Sequence, residues 1–477
     1  MSISYSSLNH PLRVSLAAEA HSRPFLQLDA PETVTHLAVY SRVIAGSGGE
    51  ANEASPEWQH GTLCALCGFF GVTGPAAEAK YFYHDFGRFR LKWECHTEFA
   101  TYTFAQRHDE SASLIVAFER LPLMHIPQQW LYGLEGKIIV AAHVVLEKAE
   151  QPSDTPSADM RVVFEGLSLA ASVVLKGAEI WSDFLIQSDG FSRFVVRDLD
   201  LRQQQVGRLV QRVLEIETYR MMALLGLPHA QAAAPRLNAI EAELALLTAT
   251  MVDSDDAVAS AVLNADGGTE HEADDEQALL RSITELAARI EKLSVDNSYR
   301  FSASHAYFRL VKARIDELRE TRIDGIPTLG EFMDRRLAPA MSTCEATARR
   351  QEALAERIAH SNDLLRTRVG IVQERQNRRI LQSMNARVAQ QLRLQQAVEG
   401  LSVVAISYYM VGLGSYVSKA AKSAGLPINT DIATGVMVPV IVLVVWLGLR
   451  RMHRIHRRMK SCWGALAPAD WSRLDSL

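Results

Sequence analysis

The sequence predicts an α+β protein: an N-terminal mixed α/β sheet domain, a long helical stalk and two C-terminal transmembrane helices. Three observations predict it. Short β-rich runs bounded by turn residues are confined to the first 200 residues. From about Leu201 apolar residues recur at helical spacing. Two uncharged runs, 400–418 and 432–449, stand near the end of the chain.

In the segment 1–200 strand-like runs cover 34–42, 87–93, 98–104 and 137–146. Two more, 182–186 and 193–196, flank Ser188-Asp-Gly190, a hairpin signal. A short helix is expected over 127–134, and Pro152 and Pro156 mark a loop at 154–158. A helical hairpin follows over 201–252, its first helix ended by Pro228 and its second opened by Pro235. Residues 253–276 hold nine acids and no Lys or Arg, which reads as a solvated linker. Long stalk helices then fill 277–399, interrupted near Pro327. Their stripe of Ile358, Leu365, Val369, Val372, Ile380, Met384, Val388 and Leu392 needs a partner helix. Self-association is one way to supply it, so a homo-oligomer is expected.

The run 400–418 has no charged residue and, as a helix, reaches about 28 Å, close to the thickness of a hydrocarbon core. The run 432–449 is rich in Val, Ile and Leu and again just long enough. A buried core helix is the bland alternative for either. The short loop 419–431 between them contains Lys419, Lys422 and Asp431. The tail 450–477 opens with Arg450, Arg451, Arg454, Arg457, Arg458 and Lys460. Arg375, Arg378, Arg379, Arg387 and Arg393 precede the first run. By the bias of positive flanks, both ends are expected in the cytoplasm and the loop outside. The expected arrangement is therefore multi-pass, with both termini on the cytoplasmic side. The basic tail would meet anionic lipid headgroups.

Net charge is −5, with no general basic excess of the kind that binds nucleic acid. Five scattered cysteines fit a reducing compartment better than secretion. Cys64 and Cys67 have the spacing of half a zinc site, to which Cys95 and His96 could add ligands. The apolar neighbours Leu63, Leu66 and Phe69 favour buried thiols, and no metal site is assigned. The Gly-rich stretch 45–49 lacks the lysine and spacing of a phosphate loop.

Two polar groups could carry chemistry. One is His10, Arg13, Glu19, His21 and Arg23. The other is His84, Asp85, Arg88, Arg90, Lys92, Glu94, His96 and Glu98. Alternation would place Arg88, Arg90, Lys92, Glu94 and His96 on one face of a strand, able to bind an anion or a metal, or to form a solvated face of ion pairs. In the first apolar run Ala405, Tyr408, Gly412, Ser415 and Lys419 share a helical face, for helix contact or for a pore lining. No acid lies within either run, so no proton relay is visible there.

The chain resembles the bacterial family called domain of unknown function 3422, whose members are described as membrane-anchored. The resemblance rests on His10-Pro-Leu-Arg13, Glu19-Ala-His21-Ser-Arg23-Pro24, the stretch from His84 through Glu94, and His96-Thr-Glu-Phe99. It extends to Ser188-Asp-Gly-Phe-Ser-Arg193, Phe332-Met-Asp-Arg-Arg-Leu-Ala-Pro-Ala340, and the stretch from Gln391 through Ser402 into Ile406-Ser-Tyr-Tyr409. It implies membrane anchoring without implying an activity. The layout is also similar to CorA-type metal-ion transporters, but their Gly-Met-Asn signature is replaced by Met410-Val-Gly-Leu-Gly-Ser415. The expected function is therefore an oligomeric, membrane-anchored protein with a cytoplasmic binding or scaffolding domain. No cofactor and no catalytic residue is assigned. The alternatives are a CorA-like channel for an inorganic cation and, third, a tethered enzyme.

Overall fold

Among the described residues nine strands form one mixed sheet in the order β2-β3-β4-β1-β5-β8-β7-β6-β9. The computed structural model describes residues 9–13, 16–17, 24–40, 56–108, 113–166, 168–263, 269–423, 432, 435–448 and 451. The strands are β1 Glu32–Tyr40, β2 Tyr81–Asp85, β3 Arg90–Cys95, β4 Phe99–Arg107, β5 Lys137–Lys148, β6 Ala170–Val174, β7 Ala178–Ile186, β8 Ser192–Asp198 and β9 Thr321–Arg322. Only β5 and β8 pair in parallel; every other neighbouring pair is antiparallel. Each half is built from consecutive strands: β2, β3 and β4 beside β1, then β6, β7 and β8 beside β5.

β1 is buried along all nine residues because the sheet is covered on both faces. Val34, Ala38 and Tyr40 point to one core, and Leu37 and Val39 to another, the period of two that a strand imposes. The second core receives α1 Pro56–Phe69 and α3 Gln128–Tyr132. Beside it α2 Leu114–Glu119 and α4 Ala158–Val163 pack on β5, β7 and β8. The first core receives α5 Gln203–Leu224 and parts of α6 Gly226–Leu263, α7 Thr269–Leu318, α8 Leu329–Arg336 and α9 Ala338–Ser423. Away from the sheet, α6, α7 and α9 bury Leu237, Ile240, Ile283, Ile290, Leu354, Ile358 and Leu365 in a three-helix core. That supplies the partner the stalk stripe requires as far as Leu365. Beyond it Ile380, Met384, Val388 and Leu392 are exposed.

Three expectations are corrected. The predicted linker 253–276 is helical over 253–263 and 269–276, and residues 264–268 lie outside the described residues. The alanine-rich run 257–263 favours helix, and acidity alone does not break one. The first helix of the hairpin ends at Leu224, not at Pro228, which sits in the first turn of α6 where its missing N–H costs nothing. Pro235 lies inside α6 rather than opening it.

The described chain divides into two units, one of Met1–Gly268 with Gln277–Leu365, the other of Thr269–Glu276 with Arg366–Leu477. The sheet and the helices 201–252 and 277–365 are therefore one unit, where the sequence suggests separate modules. In the second unit one helix is long and apolar enough to cross a membrane, the C-terminal part of α9. The second apolar run appears as a shorter helix, α10 Gly435–Gly448, and residues 433–434 and 449–450 lie outside the described ones.

Candidate functional site

Under one half of the sheet, β1, β3 and β4 face α5 across a cleft of about 250 Å³. The strands supply His36, Lys92, Glu94, Thr101 and Thr103; α5 supplies Val210, Gln211, Leu214 and Thr218; Arg314 enters from α7. The segment leading into β1 closes one side with Leu26 and Leu28. Gly207 makes this approach possible. A Cβ there would lie 1.9 Å from the Leu26 carbonyl oxygen, so only glycine lets α5 pass this close. The same segment is tied down by Arg90, which donates to the Gln27 carbonyl at 2.6 Å and pairs with the fully buried Glu32. Arg107 holds the other oxygen of Glu32 at 3.2 Å.

His36 forms the floor. Its Nδ1 lies 2.8 Å from Thr103 Oγ1 and its Nε2 lies 3.1 Å from Thr218 Oγ1. Thr218 spends its only hydroxyl proton on the Leu214 carbonyl at 2.7 Å, so it must accept from His36. The proton is therefore on Nε2, and Nδ1 accepts from Thr103. Burial, then the nearby charges of Lys92 and His96, lower the His36 pKa to about 3, and the ring is neutral at pH 7.

Lys92 is almost wholly buried and is held by Glu94 at 3.1 Å and Gln211 at 3.2 Å. Gln211 in turn donates to Glu215 at 2.7 Å. Arg314 pairs with Glu215 and with Glu317 at 2.7 Å, so its charge is already matched. Thr101 Oγ1 is buried in the wall and has no hydrogen-bond partner among the described residues. Beside the cleft Glu98 joins Arg300 at 2.9 Å and accepts from the Tyr307 hydroxyl at 3.0 Å; burial first, and Glu98 second, push the Tyr307 phenol up.

The structure splits the sequence-derived candidates. Glu94 and His96 reach the cleft with Lys92. His84 does not: it pairs with Leu91 across β2–β3, on the opposite face, and packs edge-on against Phe86 at 4.6 Å. Arg88 is exposed in the turn between β2 and β3, because β3 starts only at Arg90 and the alternating row does not extend that far. His10 and Arg13 are exposed; His10 Nδ1 accepts from the Leu12 amide, and Arg13 donates to Asn9 at 2.5 Å. Glu19, His21 and Arg23 lie outside the described residues, as do the glycine-rich stretch 45–49, Arg450, Arg454, Arg457, Arg458 and Lys460. Arg451 is exposed.

Sequence reasoning missed His36, Thr101, Thr103, Gln211 and Thr218. Threonines in a strand read as ordinary β formers, and only their shared alternation signalled a polar patch on a covered face. Cys67 is buried in the apolar core and Cys64 packs against His60 at 3.6 Å; burial raises both thiols. Cys95 donates to Gln59 Oε1 at 2.7 Å. Among the described residues no three His, Cys, Asp or Glu side chains converge on a metal position.

In the second unit the anticipated face of the apolar segment is displaced by about one residue. Ala405, Tyr408 and Lys419 are exposed and Gly412 and Ser415 half-buried. The covered positions are Ser407, at 6% exposure, and the half-buried Val411, Gly414 and Ser418. A Cβ on Gly414 would lie 2.4 Å from Met437 Cε, so α10 packs directly on this glycine.

The family described as protein of unknown function (DUF3422) matches residues 8–456, and the chain belongs to it. No curated protein and no solved structure matches the chain.

Proposed function

We propose, starting from membership of that family, that the chain is a membrane-anchored binding protein. Its sheet unit holds a small ligand in the cleft beneath β1, β3 and β4, and its C-terminal helices fix it to a bilayer. The observation that carries this reading is α9. It begins among buried core residues, Ala340, Met341 and Cys344, and runs unbroken for 86 residues into a charge-free segment of exposed Leu, Val, Ile and Tyr side chains. Apolar side chains in that number are stable when hydrocarbon surrounds them.

In this reading 400–418 and 432–449 both span, as a helical hairpin around the Gly414–Met437 contact. The arginines before the first span and after the second stay on the cytoplasmic side of a bacterial inner membrane. The exposed row Ile380, Met384, Val388 and Leu392 packs on copies of itself, making a homo-oligomer.

Fractionation tests the anchor. The full chain should stay in the membrane pellet after washes in high salt and in alkaline carbonate and leave only with detergent. Release by salt would reduce the attachment to the arginines alone. Full chain in the supernatant without detergent would remove the anchor altogether.

A further inference from the structure

Among the described residues, two hydrogen-bond donors in the cleft are left without an acceptor. The Lys92 ammonium carries three N–H bonds, but Glu94 and Gln211 take only two. The Thr101 hydroxyl, on a residue 4% exposed, takes none. β3–β4 register sets Lys92 opposite Thr103 and Glu94 opposite Thr101, so Lys92 and Thr101 are diagonal neighbours on the same face. Such positions are about 7–8 Å apart, a gap that one bidentate group can bridge between a long lysine and a short threonine. Donors left unmatched inside a covered cleft are costly unless something occupies it. Leu26, Leu28, Val34, Phe99, Val210 and Leu214 form the apolar part of the lining, and its two carboxylates, Glu94 and Glu215, are paired with Lys92 and Arg314.

The geometry points to a small monocarboxylate with a short apolar body as the ligand of this cleft, its carboxylate bridging Lys92 and Thr101. A carboxylate offers two oxygens and no donor, the complement of the unmatched Lys92 N–H and Thr101 O–H. Arg314 does not compete for it, since Glu215 and Glu317 already take its charge. His36 does not compete either, because both ring nitrogens are occupied by threonine hydroxyls. A cleft of about 250 Å³ lies just below the range of drug-sized pockets, which limits the body to a short chain or a single ring. This assignment rests on the sheet unit being a binding unit, and not on membrane attachment.

The experiment uses full-length protein in detergent and three probes of equal length: hexanoate, hexylamine and 1-hexanol. Binding is read by thermal shift and by titration calorimetry. Hexanoate should raise the melting temperature by a few degrees, and hexylamine should not. Thr101→Val keeps the shape and removes a hydroxyl that has no partner among the described residues, so its melting temperature without probe should equal or exceed that of the wild type. Its hexanoate affinity should fall about ten-fold or more, the loss of one hydrogen bond to a charge. Lys92→Met should lose hexanoate and retain 1-hexanol. If that variant does not fold, Thr101→Val alone decides. No shift with hexanoate, an equal shift with hexylamine, or undiminished affinity in Thr101→Val would each overturn the assignment. Detergent keeps the result independent of fractionation, so a failed anchor and a failed ligand remain separate outcomes.

Discussion

His36 and His143 sit on neighbouring strands, one on each face, and each is held neutral. His143 lies 3.0 Å from Thr35 Oγ1 and stacks on Phe191 at 4.0 Å; burial is the main cause that lowers its pKa to about 3, with Asp189 opposing and Arg193 assisting. In the unfolded chain both rings titrate near 6.5. Between about 6.5 and 3 the unfolded state therefore binds protons that the folded state does not. Stability is full above pH 6.5 and falls as the medium is acidified. The loss between pH 7 and 5 should be up to about 2 kcal/mol per histidine, read from urea midpoints at the two pH values. Replacing either histidine by glutamine should flatten the profile. The Glu98–Arg300 pair makes a second expectation at this scale, since both side chains are nearly buried. Arg300→Met removes the cation from a buried carboxylate that keeps its hydrogen bond from Tyr307, and should cost about 3 kcal/mol in denaturant titration.

At the scale of elements, close approaches and caps decide the outcome. Gly207→Ala would force the Leu26 carbonyl away from α5. The expected cost is about 3 kcal/mol or more, together with loss of the cleft, checked by denaturation and by hexanoate titration. Glu320 accepts from the Leu329 and Gly330 amides at 3.1 and 3.0 Å and so caps α8 from outside that helix. Glu320→Ala should cost about 1 kcal/mol, because the Gly330 amide at the helix start loses its acceptor while the Leu329 amide keeps Ser172 Oγ at 3.2 Å. The strands legible in the sequence, β1, β3, β4, β5 and the β7–β8 hairpin, are those with alternating or β-branched runs bounded by turn residues. β6, Ala-Ala-Ser-Val-Val, has no contrast between its faces because both are covered. β9 has two residues and exists only through its pairing with β6. Helix α1 carries Gly61, Gly68, a threonine and two cysteines, so neither propensity nor periodicity marks it.

At the scale of the whole chain, the order of a mixed sheet followed by long helices was readable because its parts use different periods, two in the sheet and 3.6 in the helices, whereas one helix, not two, is long and apolar enough to cross a membrane among the described residues. The grouping into units was not, because it depends on which helices share a core, and acidic residues near 253–276 resemble a linker whether or not they are helical. The candidate cleft was half legible. Lys92, Glu94 and His96 are adjacent in sequence and strongly polar. Their counterparts on β1, β4 and α5 are far away in the chain and become neighbours only when the sheet assembles. Gly414→Leu would push α10 off α9 through Met437 while adding apolar surface. It should leave the protein in the membrane pellet but lower its melting temperature in detergent.

The pairing of β6 with β9 has a consequence for biosynthesis. By the time a ribosome has completed β8, eight strands of the sheet exist, yet one rim is still bare. The two residues that cover it, Thr321 and Arg322, are made more than 100 residues later, after α5, α6 and α7. During that interval nascent chains on one polysome expose the same unpaired amides and carbonyls to each other, the situation in which strands join across molecules. Truncated products ending between β8 and β9 should therefore aggregate as they are made, and holdase chaperones should be found on chains of that length.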